Sequence, residues 1–391
     1  MKLILICAVF ILFSCVKDKD GGNNLSQIKS PKVFTVNAPV AGNYPEGLFK
    51  YPYKVGTQET ELFTQTLEWS PKVSKTFDIN TQYTATLTLN PVDRCTFNGT
   101  VLHDIAGLPT DGVQDISLSA NRSSLVIRIL FEATAGKKAD ARIIFSDEFD
   151  GTSLDTTRWD LCPEWDRQGH SSWRDNMVYL SDGLLHLRFA GDPALGAIKT
   201  KDPSLAETWI RAGAIRTQTK DGHILFSNTF GYYEARIKFP VVGGTWGAFW
   251  LMSPTQWITL NEGKDGTEID IVETINNHDG RYNAALHWNG YGKQHKSATS
   301  GGSGKPVNIY DGEFHIFALD WSPSEYVFYV DGQEFWRVNG GRQFKNSGIN
   351  QNPNYIKLTV ESATGNLLND FVESEMQVDY VRVYNQPRIS N

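Results

Sequence analysis

The stretch Glu268-Ile-Asp-Ile-Val-Glu273 has three carboxylates within six residues, and only aliphatic residues lie between them. Side chains alternate along a β-strand, so Glu268 and Asp270 share one face of a sheet while Glu273 has the opposite parity. One extra residue, a β-bulge at Ile271 or Val272, would return Glu273 to the face of the other two acids. The pattern therefore predicts a bulged strand that carries three acids in a row.

Three neighbouring carboxylates repel one another when ionised, so one of them keeps a proton. A retaining glycosidase needs a carboxylate nucleophile and a protonated acid about 5–5.5 Å apart. The same triplet is also compatible with a solvated face or a cation site. Trp246, Trp250, Trp257 and Trp288 lie close by in the sequence. Aromatic faces are common platforms for sugar rings, although each Trp taken singly is more readily a core residue.

The composition narrows the function classes. The chain has 391 residues, enough for two domains. Its net charge of −7 gives no indication of a nucleic-acid partner. Aromatic residues make up 12% of the chain, including 11 Trp, which fits contact with carbohydrate. Many glycines and the lack of a long helical pattern favour an all-β protein.

Residues 1–15 are predicted to be a lipoprotein signal peptide. The apolar run 3–13 is shorter than the roughly 20 residues that span a bilayer. It ends in Leu12-Phe-Ser-Cys15, which resembles a bacterial lipobox with Cys15 as the lipidated residue. A plain secretory signal cut nearby is the alternative. Residues 16–32 read as a flexible tether whose charged start resembles the surface-export signal of Bacteroidetes lipoproteins. An outer-membrane lipoprotein facing the cell exterior is the expected localisation.

Two domains follow the tether. Residues 33–140 show short alternating strands, for example over 83–89 and 125–131, and are predicted to form a small immunoglobulin-like β-sandwich, either a spacer or a glycan-binding module. Residues 141–391 are again strand-rich and predict a two-sheet β-jelly roll. Asp331-Gly332 is expected to turn a hairpin. Cys95 and Cys162 fall in different domains and are expected to be buried free thiols, with a disulfide between them as the alternative.

Residues 143–386 resemble glycoside hydrolase family 16 in its laminarinase-like branch. The acidic stretch resembles the bulged ExDxxE motif of that family, and other matching segments occur in the family's order at 145–154, 214–217, 230–238, 244–250 and 378–384. The resemblance implies a jelly-roll catalytic domain and retaining endo-cleavage of a polysaccharide.

The resemblance also implies residue roles. Glu268 would be the nucleophile and Glu273 the general acid and base. Asp270 would hold a proton and hydrogen-bond Glu268. Substrate contacts are expected from Trp246, Trp250, His287, Trp288, Asn176 and Arg216. No cofactor is implied for the reaction itself.

A structural calcium ion is a further implication of the resemblance. The matching positions are Glu148, the backbone of Gly183, and Asp379, and their oxygen atoms suit this ion. The alternative is that these acids cap strands at the surface.

The sequence is compatible with more than one class of substrate. A β-1,3-glucan or mixed-linkage β-glucan is the leading expectation, and a β-galactan-type polymer such as agar, porphyran or a host glycan is the alternative. A catalytically inactive surface glycan-binding protein and a transglycosylase are further alternatives. The chain departs from laminarinases at Trp246-Gly247, in an insertion at 253–267, and over 289–296 and 354–361. No oligomerisation signal is present, so a monomer is expected.

Overall fold

A computed structural model describes residues 25–28, 31, 33, 36–47, 49–50, 63–92, 95–102, 105–119, 123–164, 166–167, 171–191, 210–242, 244–274, 281–302, 305–340, 347–362 and 372–387. These residues form β-strands and contain no α-helix, which confirms the all-β prediction. A one-turn 3-10 helix spans Asp175–Met177. No helix in this part of the chain is long and apolar enough to cross a membrane.

The described residues of the N-terminal unit form seven strands. They are β1 Ser26–Gln27, β2 Phe49–Lys50, β3 Phe63–Ser70, β4 Thr84–Pro91, β5 Cys95–Thr96, β6 Val113–Leu118 and β7 Leu125–Leu130. Five of them form a sheet in the order β2-β3-β4-β7-β6, and β1 pairs with β5 in parallel. Alternate residues of β3 and β4 are buried, so one sheet face covers a core of its own. The immunoglobulin-like classification of this unit stays a prediction.

The second unit is a two-sheet sandwich. Its strands are β8 Ile143–Asp147, β9 Asp160–Leu161, β10 Asp166–Arg167, β11 Ser171–Trp173, β12 Val178–Ser181, β13 Leu184–Gly191, β14 Ile210–Ala212, β15 Ala214–Arg216, β16 Gly231–Lys238, β17 Thr245–Met252, β18 Thr267–Glu273, β19 Asn283–Trp288, β20 Lys296–Thr299, β21 His315–Trp321, β22 Tyr326–Val330, β23 Gln333–Val338, β24 Tyr355–Ser362 and β25 Val372–Tyr384. Among the residues that the structure describes, one sheet has seven strands in the order β20-β19-β18-β17-β24-β15-β9. The other has eleven, with β25 and β16 at its centre.

The core lies between these two sheets. Phe249, Ile269 and Leu358 from the seven-stranded sheet share one buried cluster with Ala235 and Val381 from the eleven-stranded sheet. Burying one large aliphatic or aromatic side chain contributes about 1.5–3 kcal/mol, so this layer dominates the stability of the sandwich. The arrangement is the jelly roll that the sequence predicts.

The hairpin at Asp331-Gly332 is confirmed. Both residues have positive φ, 47° and 75°, as a type I′ turn requires. The turn joins β22 to β23, which begins at Gln333.

The cysteines differ from one another. Cys162 is a free thiol buried in the core of the sandwich, as expected. Cys95 is buried in the separate core of the N-terminal unit, away from the core that holds Cys162. Because Cys162 is free, these two residues do not pair with each other.

The N-terminal unit is docked onto the sandwich by polar contacts. Asp320, only 4% exposed on β21, accepts hydrogen bonds from Tyr44 Oη at 2.6 Å and from Lys75 Nζ at 2.7 Å. A carboxylate that is buried in this way is stable only while its partners remain. Close by, Gly47 packs so tightly that an added Cβ would lie 2.0 Å from the carbonyl oxygen of Gln351. The segment around Gly47 therefore has little freedom to move away from the sandwich.

We expect Gly47→Ala to destabilise the docked arrangement by about 1–3 kcal/mol, because the new methyl group must displace backbone. Chemical denaturation of the full chain measures this loss. Gly292→Ala is the matched control, since an added Cβ there meets no atom within 4 Å. Equal stability of the two variants would contradict tight docking at Gly47.

Candidate active site

Strand β18 contains one extra residue between its last two acids. Asp270 pairs with Ala285 of β19, and Glu273 pairs with Asn283, so three steps on β18 match two on β19. The ladder to β17 shows the same shift, between the partners of Phe249 and Trp250. The extra residue is a β-bulge, and it returns Glu273 to the face that Glu268 and Asp270 occupy.

The three carboxylates are buried in the floor of this sheet face. Glu268 is 7% exposed, Asp270 3% and Glu273 9%. Glu273 is held at both oxygens: Oε1 accepts a hydrogen bond from Trp246 Nε1 at 3.1 Å, and Oε2 accepts one from Asn283 Nδ2 at 3.0 Å. The carboxyl group of Glu273 therefore has a fixed orientation beside the other acids.

Burial and the charges of neighbouring carboxylates raise the pKa values of Glu273 and Asp270. Burial, followed by the charge of Glu268, raises the pKa of Glu273 to about 7, although its hydrogen bonds oppose the shift. Burial, with the charges of Glu273 and Glu268, also raises the pKa of Asp270 well above its usual range, and Lys357 partly offsets this. Near neutral pH the cluster therefore holds protons that isolated carboxyl groups would lose.

His287 lies directly beside the acids. It is the register partner of Glu268, and its Nε2 is 3.5 Å from Asp270 Oδ2. Glu268, Asp270 and His287 offer side-chain atoms that all lie within 4.8 Å of one another, close enough to share a proton or a cation. His287 Nδ1 is 3.0 Å from His295 Nε2. If His295 Nε2–H donates to His287 Nδ1, the ring proton of His287 is on Nε2 and faces Asp270.

Sequence reasoning missed His295 and Lys357. His295 comes just before β20, across a short connection from His287, and only the β19–β20 pairing brings the two rings together. Lys357 is the register partner of Trp250, and its Nζ lies 3.8 Å above the centre of that indole ring and 4.9 Å from the ring of Trp173. A buried ammonium group between two indoles is stabilised by cation–π attraction.

The tryptophans predicted to contact substrate separate into two groups. Trp246 donates to Glu273, and Trp250 pairs with Asp270 on the same sheet face, so both lie at the acids. The prediction for Trp288 is wrong, because this side chain is 0% exposed in the core between the sheets. Trp288 follows His287 directly, and alternation along β19 turns it to the opposite face.

The two polar predictions are less directly connected to the acids. Arg216 pairs with Lys357, in the row of Trp250 and Asp270, and its guanidinium donates to the carbonyl oxygens of Gln218 and Thr219. Asn176 is exposed on the 3-10 helix. Contact of these two residues with sugar stays a prediction. The predicted lipidation site, Cys15, lies outside the described residues.

The predicted calcium positions do not fit a cation as they are placed. Both carboxylate oxygens of Glu148 accept hydrogen bonds from Arg382, at 2.9 and 2.7 Å. Asp379 is paired with Arg236 at 2.5 Å. Gly183 is in a turn with φ of +73°. Calcium needs several uncommitted oxygen ligands, and these carboxylates are already neutralised by arginines.

The sheet sandwich and the buried acids on its open face define a carbohydrate-active β-jelly roll, and comparison with known families specifies it. A family model described as "Beta-porphyranase A-D, GH16 domain" matches residues 143–386. The chain therefore belongs to glycoside hydrolase family 16, as the resemblance implied.

Two named relatives match about two thirds of this chain at low sequence identity. The chain is 30% identical over 282 residues to keratan-sulfate endo-1,4-beta-galactosidase from Sphingobacterium multivorum, covering 67% of this chain and 59% of the relative. It is 25% identical over 274 residues to glucan endo-1,3-beta-glucosidase A1 from Niallia circulans, covering 63% and 38%. The chain thus spans less than two thirds of the length of both relatives.

A solved structure described as "Prominent members of the human gut microbiota express endo-acting O-glycanases to initiate mucin breakdown" has the same fold. It aligns with a TM-score of 0.50 and 21% identity over 63% of this chain and 91% of that chain.

The pKa of Glu273 makes the stability of the protein depend on pH. The folded pKa of about 7 exceeds the ordinary value of 4.5, so the contribution of this group is fully present below pH 4.5 and is lost as the pH rises to about 7. We expect Glu273→Gln to remove this loss, making the variant more stable than the wild type by up to roughly 3 kcal/mol at pH 8. Denaturant unfolding from pH 4 to 8 measures the difference, and a difference independent of pH would contradict the shift.

The arginine pairing of Glu148 and Asp379 predicts that the stability does not depend on calcium. Thermal unfolding should give the same Tm with EDTA and with excess calcium, because an added ion would have to break two carboxylate–arginine pairs. A clear rise of Tm with calcium would show that these residues rearrange around the ion.

Proposed function

We propose that this chain is a retaining endo-β-glycosidase that hydrolyses internal linkages of a polysaccharide. The observation that carries the proposal is the bulged strand β18, with three buried carboxylates on one face and Glu273 at a pKa of about 7. A group with this pKa can donate a proton and later accept one near neutral pH, as a general acid and base must.

In the proposed mechanism, Glu268 attacks the anomeric carbon while Glu273 protonates the departing glycosidic oxygen. The first step leaves a glycosyl ester on Glu268 and an ionised Glu273. A water molecule then attacks the anomeric carbon, Glu273 takes its proton, and Glu268 is released as a carboxylate. Asp270, protonated by burial and by its charged neighbours, donates a hydrogen bond to Glu268. The hydrogen bonds from Trp246 and Asn283 hold the carboxyl group of Glu273 in a fixed orientation.

The leading substrate is a β-1,3-glucan or a mixed-linkage β-glucan. Glucan endo-1,3-beta-glucosidase A1 supports this choice, as does a relative named Beta-glucanase from Rhodothermus marinus, 26% identical over 62% of this chain and 84% of its own length. The partly exposed indole of Trp246 beside the acids suits a neutral pyranose ring.

A β-galactan-type polymer is the second candidate. Two observations favour it: the matching family model is described by porphyranases, and the keratan-sulfate endo-1,4-beta-galactosidase is 30% identical. Both candidates use the same acids and differ only in the sugar that the cleft accepts.

We also propose that the protein is a monomeric outer-membrane lipoprotein, anchored through lipid on Cys15 and facing the exterior, with the N-terminal unit as a spacer. The Leu12-Phe-Ser-Cys15 stretch and the charged residues after it support this location. Cys15→Ala should release the protein from membranes in cell fractionation, and a variant that remains bound would contradict lipid anchoring at Cys15.

Glu268→Gln should lower kcat by at least about a thousandfold while substrate binding persists, because the variant lacks the nucleophile but keeps the shape of the cleft. A digest panel of laminarin, barley β-glucan, lichenan, agarose, porphyran and mucin glycans, with products resolved by size, measures turnover. Glu262→Gln, which changes an exposed acid paired with Lys296, is the control and should remain active.

The products distinguish the candidates. An oligosaccharide ladder from a glucan supports the first substrate, and a ladder from a galactan alone supports the second. Binding without product in the wild type would contradict the proposed enzyme and support a glycan-binding protein. Products extended by an added acceptor sugar would indicate a transglycosylase.

A further inference from the structure

A row of aromatic rings leads from the acids to the surface. We call it the aromatic wall: His287, His295, Tyr291 and Trp257. The ring of Tyr291 lies 6.2 Å from that of His287 and 5.2 Å from that of His295, between ring centres. The ring of Trp257 continues the row at 5.6 Å from Tyr291, at an interplanar angle of 67°. The aromatic wall is therefore continuous from His287, next to Asp270, to Trp257 at the surface.

Trp257 is largely exposed yet fixed in place. Its side chain is 63% exposed. The neighbouring residue Gln256 accepts a backbone hydrogen bond from Gly290 at 2.9 Å, which joins the two loops that form the wall. A Cβ added at Gly290 would lie 3.1 Å from Cε3 of Trp257, so the indole lies directly against this backbone. Gly290 also has a φ of +66°, a conformation that side chains disfavour.

An exposed indole adds little to folding, because most of its surface stays in water. Exposure alone is common on protein surfaces and implies no function. The distinctive feature of Trp257 is its position: two loops hold its ring at the outer end of the row of aromatic rings that begins beside Asp270. A pyranose ring has an apolar C–H face that packs on such a surface without any charge being required.

We propose that the aromatic wall is a sugar-binding subsite beyond the catalytic acids, in which the exposed indole of Trp257 stacks against a neutral pyranose unit of the same polysaccharide chain and Tyr291 borders that unit at an angle. The inference rests on the proposed endo-glycosidase function and adds to it a preference for long substrates. A chain that reaches the wall binds more tightly than an oligosaccharide that fills only the positions at the acids.

The test compares Trp257→Ala with the wild type on the polymer that the digest panel identifies. We expect KM for the polymer to rise about tenfold, the loss of one stacking contact. The kcat/KM for the shortest cleaved oligosaccharide should stay the same. Trp257→Phe keeps an aromatic face and should recover most of the polymer KM, which a general loss of folding would not allow.

Leu260→Ala is the matched control, because Leu260 is 75% exposed in the same loop but has no ring. Its KM should equal that of the wild type. A polymer KM for Trp257→Ala equal to that of Leu260→Ala would overturn the subsite while leaving the enzyme proposal intact. Absence of cleavage in the wild type would instead overturn the enzyme proposal. Affinity electrophoresis of Glu268→Gln with and without Trp257→Ala measures the same contact without turnover, and equal mobility shifts would contradict the subsite.

Discussion

The active face of this protein depends on the fixed register of β18, whose aliphatic residues anchor the strand in the core while its three carboxylates lie on the opposite face. Ile269, Ile271 and Val272 are fully buried in the core, and they hold β18 in a single register. A one-residue slip of β18 would move these aliphatic side chains out of the core, at a cost of about 1.5–3 kcal/mol for each. Desolvation is therefore a consequence of packing, and the raised pKa of Glu273 follows from desolvation together with the charge of Glu268.

The neighbouring strands fix the orientation of the Glu273 carboxyl group. Strand β17 supplies Trp246 and β19 supplies Asn283, and each binds one oxygen of Glu273. The N-terminal unit is attached elsewhere, through Asp320 of the eleven-stranded sheet, whereas the acids belong to the seven-stranded sheet. Asp320 and the acids are thus on different sheets of the sandwich.

The local sequence pattern was enough to predict the features that follow from the alternation of side chains along a strand. The strands, the Asp331-Gly332 hairpin and the need for one extra residue before Glu273 all follow from a period of two and from turn chemistry. Trp288 shows where proximity in sequence misleads, because a residue next to His287 on a strand faces the opposite way. The predicted calcium positions show a second limit. Arg236 pairs with Asp379 and Arg382 pairs with Glu148, and each pair joins segments that are far apart in the sequence.

The sequence by itself determined the all-β class, the family and the identity of the three acids, because each is encoded in a few consecutive residues. Only the tertiary structure decided which side chains surround them. Lys357 lies over Trp250, His295 meets His287, and Trp257 rests against Gly290. These contacts come from strand pairing and loop packing between separate segments, and the spacing within one segment carries no information about the partner that another will bring.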